Sequence, residues 1–340
     1  MTVVAEGLNH PWGMVFLPDG RLLVTERNTG HLRYVSLDGQ ISEPLKGVPK
    51  VFAQGQGGML DLALDPDFEQ NRLVYFSYSD PGDGNTASSV LARGRLTDDR
   101  LEDVRQIFAQ QPYVTGSKHF GGRVVFDREG HIFFTLGERF GFDPAQELSN
   151  HLGTIVRINP DGSVPAQNPF IDQKGAEPEI WSYGHRNIEA AAIHPDTGRL
   201  WVAEMGPFGG DELNQPDAGE NHGWPEVSWG KHYDMKDIPD PPTRPEFADA
   251  VKQWSPVISP SGMIFYTGDA FPQWRNNLFI GSLSDQAVVR LALAGSEVTQ
   301  EERIPLGARI RDVAQGPDGF IYLLTDQEHG KLIRLSPSGD

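Results

Sequence analysis

Residues 18–26 read PDGRLLVTE and residues 317–326 read PDGFIYLLTD. Each sets a Pro-Asp-Gly turn directly before a short run of aliphatic, aromatic and β-branched residues. Aspartate accepts hydrogen bonds from nearby backbone amides and glycine supplies the positive φ, so each is a tight turn opening onto a strand. The same unit recurs as DPDFEQN before RLVYFSY (65–78), DREG before HIFFTLGE (127–138) and HPDTG before RLWVAEMG (194–206). A looser copy is FPQWRN before NLFIGSL (271–283), which brings the number to six. Each run is too short for a helix and too apolar for an exposed edge, so each reads as an inner strand of a small sheet. The segments HLRYVSL, SVLARGRL, GTIVRINP, AVVRLAL and KLIRLSP supply the next strand of each meander. Six small antiparallel sheets along one chain predict an all-β fold, a six-bladed β-propeller over residues 1–340 as a single domain with long loops on one face. Two β-domains or a pair of β-sandwiches would be the competing arrangement of the same strands.

Composition agrees with many short strands joined by turns, with 38 glycines and 26 prolines in 340 residues. Lys and Arg number 29 against 47 Asp and Glu, a formal charge of −18. That balance argues against nucleic acid or an anionic membrane as the main partner. No run approaches the roughly 18 apolar residues of a membrane span, so no membrane insertion is expected. The chain has no cysteine, which excludes disulfides, thiolate catalysis and thiolate metal sites. Walker loops, HExxH helices, serine nucleophile elbows and Rossmann glycine patterns are absent from the sequence.

A propeller brings the residues just past its inner strands to a common rim. Here these are Thr25-Glu26-Arg27, Gly137-Glu138-Arg139, Glu204-Met205-Gly206, Ser284-Asp285 and Thr325-Asp326, a polar set suited to a site. Near them stand four constellations. KHFGGRVVF (118–126) places His119 before two glycines that let backbone approach a ligand closely; a lone histidine is equally a structural residue. EIWSYGHRNIE (179–189) sets Arg186 and Asn187 together, a forked donor pair for a carbonyl or carboxylate or a tie between loops. WVAEMGPFGGDELNQPDAGENHGWP (201–225) offers carbonyls at Gly206-Pro207, then Asp211, Glu212 and Asn221-His222, oxygens of the kind that Ca²⁺ requires. GARIRDV (307–313) alternates Arg309 and Arg311, which share one side if the segment is extended.

Taken together, NHPWGMVFLPDGRLLVTER, GQGGMLDLALDPDF, HFGGRVVFD, EIWSYGHRN, EMGPFGGDELN with GENHGWP, and RIRDVAQGPDG resemble the soluble PQQ-dependent aldose sugar dehydrogenases of the soluble glucose dehydrogenase family. The resemblance runs in order from near residue 8 to near residue 335. It implies a six-bladed propeller that holds pyrroloquinoline quinone (PQQ) and Ca²⁺ and oxidises an aldose at C1 to the lactone, passing electrons to an external acceptor. Under it His119 is the general base, Glu138 orients that histidine, and Arg186 stabilises charge on the quinone oxygen. Gln56, Asn187, Arg309 and Arg311 become cofactor contacts. The carbonyls of Gly206 and Pro207 become ligands of the cofactor's Ca²⁺, and Glu212 with the His222 carbonyl part of a second calcium site. A sugar substrate, a monomer or homodimer, and a periplasmic or secreted location are further implications.

The chain departs from the family pattern at Leu283-Ser284, where a lysine is usual, at Met205, and at Ile188-Glu189, where HRNIEA replaces RNPQG. Each change touches the implied cofactor site. Two other functions fit the same residues: a propeller binding module without quinone chemistry, and a calcium-dependent propeller lactonase.

Overall fold

In the computed structural model, which describes residues 1–337, six antiparallel sheets succeed one another along the chain and form a six-bladed β-propeller. Blade 1 holds Pro11–Phe16, Leu22–Glu26 and His31–Val35. Blade 2 begins with Met59–Leu64, blade 3 with Gly121–Phe126, blade 4 with Ile188–Ile193, blade 5 with Pro260–Phe265 and blade 6 with Ile310–Gln315. These first strands touch one another around the ring and line the axis. The ring closes across the chain ends: Thr2–Leu8 pairs with Gly330–Leu335 as the outermost strand of blade 6.

The turn-preceded runs that reveal the fold in the sequence are the second strands, not the innermost ones. The reason is environment. A second strand is covered on both faces by neighbouring blades, so it is continuously apolar: Leu23, Phe76, Phe134, Trp201, Ile280 and Leu323 are all fully buried. The axial strand must face a channel and is mixed in character, which hides it from a search for apolar runs.

All six axial strands share a device that bears on function. Each pairing with its second strand slips near the strand's start: between Pro11 and Met14, Met59 and Leu62, Gly121 and Val124, Ile188 and Ala190, Pro260 and Met263, and Ile310 and Asp312. A bulge re-aims the extra residue. Asp61, Arg123, Glu189 and Arg311 all stand in these slips, and all four are buried. Arg123 ties the channel together, reaching Asp61 and Asp312 at 3.0 Å each while stacked 4.0 Å over Trp12.

Candidate active site

His119 sits in the loop that leads into the axial strand of blade 3, at φ +54°. This left-handed conformation is held from below. A Cβ on Gly137 would overlap the His119 carbonyl, so only glycine lets the two backbones lie this close. The Gly121 N–H donates to Asn187 Oδ1 (3.0 Å). Arg139, buried, donates to the carbonyls of Lys118 (2.9 Å), Ala87 (2.6 Å) and Gly116 (2.7 Å) and stacks on Phe120. With burial opposed only by Glu138, its guanidinium falls to about 10; it acts as a clamp on the His119 loop.

The ring of His119 is equally constrained. Nδ1 lies 2.5 Å from Glu138 Oε1, and Glu138 Oε2 accepts the Phe142 N–H at 2.8 Å. Glu138 is fully buried and His119 nearly so. An ionised acceptor at this distance fixes the proton on Nδ1 and leaves Nε2 as the basic nitrogen. Phe140 closes one side of the ring edge-on. Burial lowers the histidine below its ordinary pKa; the hydrogen bond to Glu138 works against this, and the positive charge of Arg186 works with it. Burial thus favours the neutral imidazole.

His119 faces a cavity of about 690 Å³, shared with Gln56, Arg186, Gly206 and Pro207. Gln56 Oε1 accepts the His119 backbone N–H (2.6 Å). Five of the sequence-predicted residues thus line one cavity. The outer lip is aromatic and apolar, with Trp229, Tyr233, Met235 and Phe208 on it; Phe208, Tyr233 and Met235 are the most exposed large side chains near the site. Nothing in the local sequence distinguishes these from packing residues, and the lip was legible only as a long loop.

Arg186 Nη1 donates to the carbonyls of Met205 (2.9 Å) and Gly206 (2.7 Å), and Nη2 to the Tyr233 hydroxyl (3.2 Å), while buried Nε has no partner. A full positive charge therefore already rests on the Met205-Gly206 oxygens. Asp211 holds this turn by accepting the Gly206 N–H (2.8 Å) and the Ser259 N–H (2.6 Å). The Gly206 carbonyl is an oxygen of the kind a hard metal ion takes, and a metal ion there would share it with Arg186. Beside the turn, a void of about 10 Å³, near the smallest that admits a single water, is lined by Glu204, Glu212, His222 and Trp224 among others. Burial, reinforced by the charge of Glu204, raises Glu212 well above the carboxylate range. Both ring nitrogens of His222 and the Trp224 Nε1 lack partners. Glu204 is engaged by His185 Nδ1, the Arg186 N–H and Asn214 Nδ2, whereas half-buried Glu212 accepts from Asn214 Nδ2 alone among the described residues (3.2 Å) and is the carboxylate with room for a cation.

Asn187, Arg309 and Arg311 lie apart from the cavity wall. Asn187 is fully buried, with Oδ1 engaged by Gly121 and Nδ2 by Glu189 (3.0 Å). Arg309 and Arg311 do reach one side, since both approach Asp326 Oδ2, at 3.8 and 2.7 Å. Only Arg309 keeps half its side chain in solvent; Arg311 is buried.

Residues 8–334 match the family model described as Glucose / Sorbosone dehydrogenase. The chain is 43% identical to aldose sugar dehydrogenase YliI of Escherichia coli K12, over 98% of this chain and 92% of the relative. A crystal structure of a glucose dehydrogenase superposes with a TM-score of 0.95 at 44% identity, covering 99% of both chains. The PQQ-bound form of an aldose sugar dehydrogenase from Streptomyces coelicolor superposes with a TM-score of 0.81 at 27% identity, covering 99% of this chain and 96% of that one.

Proposed function

The chain belongs to the glucose/sorbosone dehydrogenase family and is an oxidoreductase, and from that premise we propose that it oxidises aldoses at C1 to the lactone with PQQ and Ca²⁺. The observation that carries the reading is the His119–Glu138 pair on the wall of the 690 Å³ cavity. PQQ, when bound, supplies the two-electron oxidant. Ca²⁺ would be held through the carbonyls of Gly206 and Pro207, and supplies Lewis-acid charge there.

The protein's own part is positional and acid–base. His119 Nε2 takes the proton of the anomeric hydroxyl as hydride leaves C1, so the sugar loses one proton and one hydride and becomes the lactone. Glu138 holds the Nδ1 proton and stabilises the imidazolium that forms, as the carboxylate does in other His-carboxylate pairs. Arg186, carrying its charge beside the cavity, stabilises negative charge that develops opposite the sugar. Gln56 fixes the backbone of His119, and the aromatic lip offers faces on which a sugar ring can stack. Electrons then leave for an external acceptor.

Replacing His119 with alanine tests this. Turnover of an aldose with a redox dye should fall by about 10²–10⁴-fold, the usual worth of a general base, while the affinity for PQQ changes less than a few-fold. Unchanged turnover would exclude His119 as the base.

A further inference from the structure

Arg311 makes two short ion pairs, Nη1 to Glu189 Oε2 at 2.5 Å and Nη2 to Asp326 Oδ2 at 2.7 Å. All three side chains are buried. Two of the three arise from the bulges of axial strands: Glu189 stands in the slip of blade 4 and Arg311 in that of blade 6. The bulges aim them at each other across the channel. Glu189 is locked in turn, since its Oε1 accepts from Asn187 Nδ2. Asn187 also fastens the strand that follows His119, so the pair adjoins the catalytic wall.

Arg311 is therefore a guanidinium whose two terminal nitrogens each already engage a carboxylate of the protein, while its buried Nε has no partner. Arg309 is different. It is half exposed, it touches the Leu283 carbonyl at 3.3 Å, and it stands 3.8 Å from Asp326. Ser284, which follows Leu283 in the chain, donates its hydroxyl to the carbonyl of Val257, a residue that lines the cavity, and brings no charge. Arg27 also turns to Asp326, at 3.7 Å. Three guanidinium groups thus share two internal carboxylates.

We infer that Glu189 occupies, on Arg311, the place an anionic ligand's carboxylate would take, and so sets the affinity of this site for a polycarboxylate such as PQQ, leaving Arg309 as the guanidinium that meets the ligand. This rests on the function proposed above. An internal carboxylate in contact with the arginine repels a tricarboxylate at short range and competes for the same donors. Removing its charge relieves both effects, and glutamine keeps the shape and the Asn187 hydrogen bond.

The test is a titration of the protein with PQQ in the presence of Ca²⁺, followed by quenching of tryptophan fluorescence and requiring no turnover. Glu189→Gln should bind PQQ about 10-fold or more tightly than the wild type, the worth of one charge-assisted contact. Arg309→Gln, on an exposed side chain that the fold does not need, should bind about 10-fold more weakly. The trimethyl ester of PQQ, which has no carboxylate charge, should bind wild type and Glu189→Gln alike. Equal or weaker PQQ binding by Glu189→Gln would overturn the inference, as would an Arg309→Gln protein with undiminished affinity or an equal gain for the ester. Failure of PQQ to bind the wild type and Glu189→Gln alike would overturn the functional reading, and the inference with it.

Discussion

His119 has its Nδ1 proton committed to Glu138 before a substrate arrives, and that commitment makes the remaining nitrogen a base of fixed direction. The pH dependence follows from the same contacts. Burial draws the imidazole pKa down and Glu138 draws it up, with burial the stronger. Activity requires the neutral ring, so kcat/KM should hold to below the ordinary histidine value of about 6.5 and fall only as the pH drops through the lowered pKa. In Glu138→Gln the raising influence is gone, so the acid limb should move lower still. The plateau should also fall by about 10²-fold, because the ring loses its fixed tautomer and the charge that supports the imidazolium. A pH profile of kcat/KM for both proteins measures the two effects at once. A limb that stays where it is in the variant would mean that Glu138 does not act on His119.

The elements that carry these residues are loops, and their order has identifiable causes. Arg139, Phe140 and Phe142 all adopt positive φ, a conformation that side chains rarely take. The run is held by the Arg139 guanidinium on three carbonyls and by the rings of Phe140 and Phe142 against each other. Arg139→Met would keep the bulk and leave the buried Ala87 carbonyl without its donor. It should cost about 3 kcal/mol of stability in denaturant unfolding and lower kcat more than it raises KM, because the base is misplaced rather than the sugar released. Retained kcat would show that the clamp does not position His119. Here the sequence and the structure part company for a physical reason. HFGGR announces a close approach because glycine is a local signal, and Glu138 falls at a strand end where a rim is expected. Arg139 bonds to carbonyls, which every residue has, so no spacing in the sequence betrays its partners. The same holds for the Arg186 contact with the Met205 and Gly206 carbonyls.

Across the whole molecule, the repeated turn and second strand made the propeller legible, because sequence-local chemistry dictates both. The axial strands were not, since their character is set by a channel that exists only after all six blades assemble. Glu189 shows the limit well: in the sequence it is an acid displaced into a family motif, and only the ring brings it onto Arg311, 122 residues away in the chain. The closing strand Thr2–Leu8 is similar, its pairing with Gly330–Leu335 being a property of the circle and not of either segment. The ring in turn gives the site its shape, for the cavity takes its walls from loops of several blades. Reconstitution tests this account most directly: add PQQ and Ca²⁺ to the purified protein and follow dye reduction with a panel of aldoses. Sugar-dependent reduction that needs both additions, is lost on chelation of Ca²⁺ and yields the lactone is the predicted result. Saturable PQQ binding with no reduction by any aldose, or sugar oxidation that proceeds without PQQ, would contradict it.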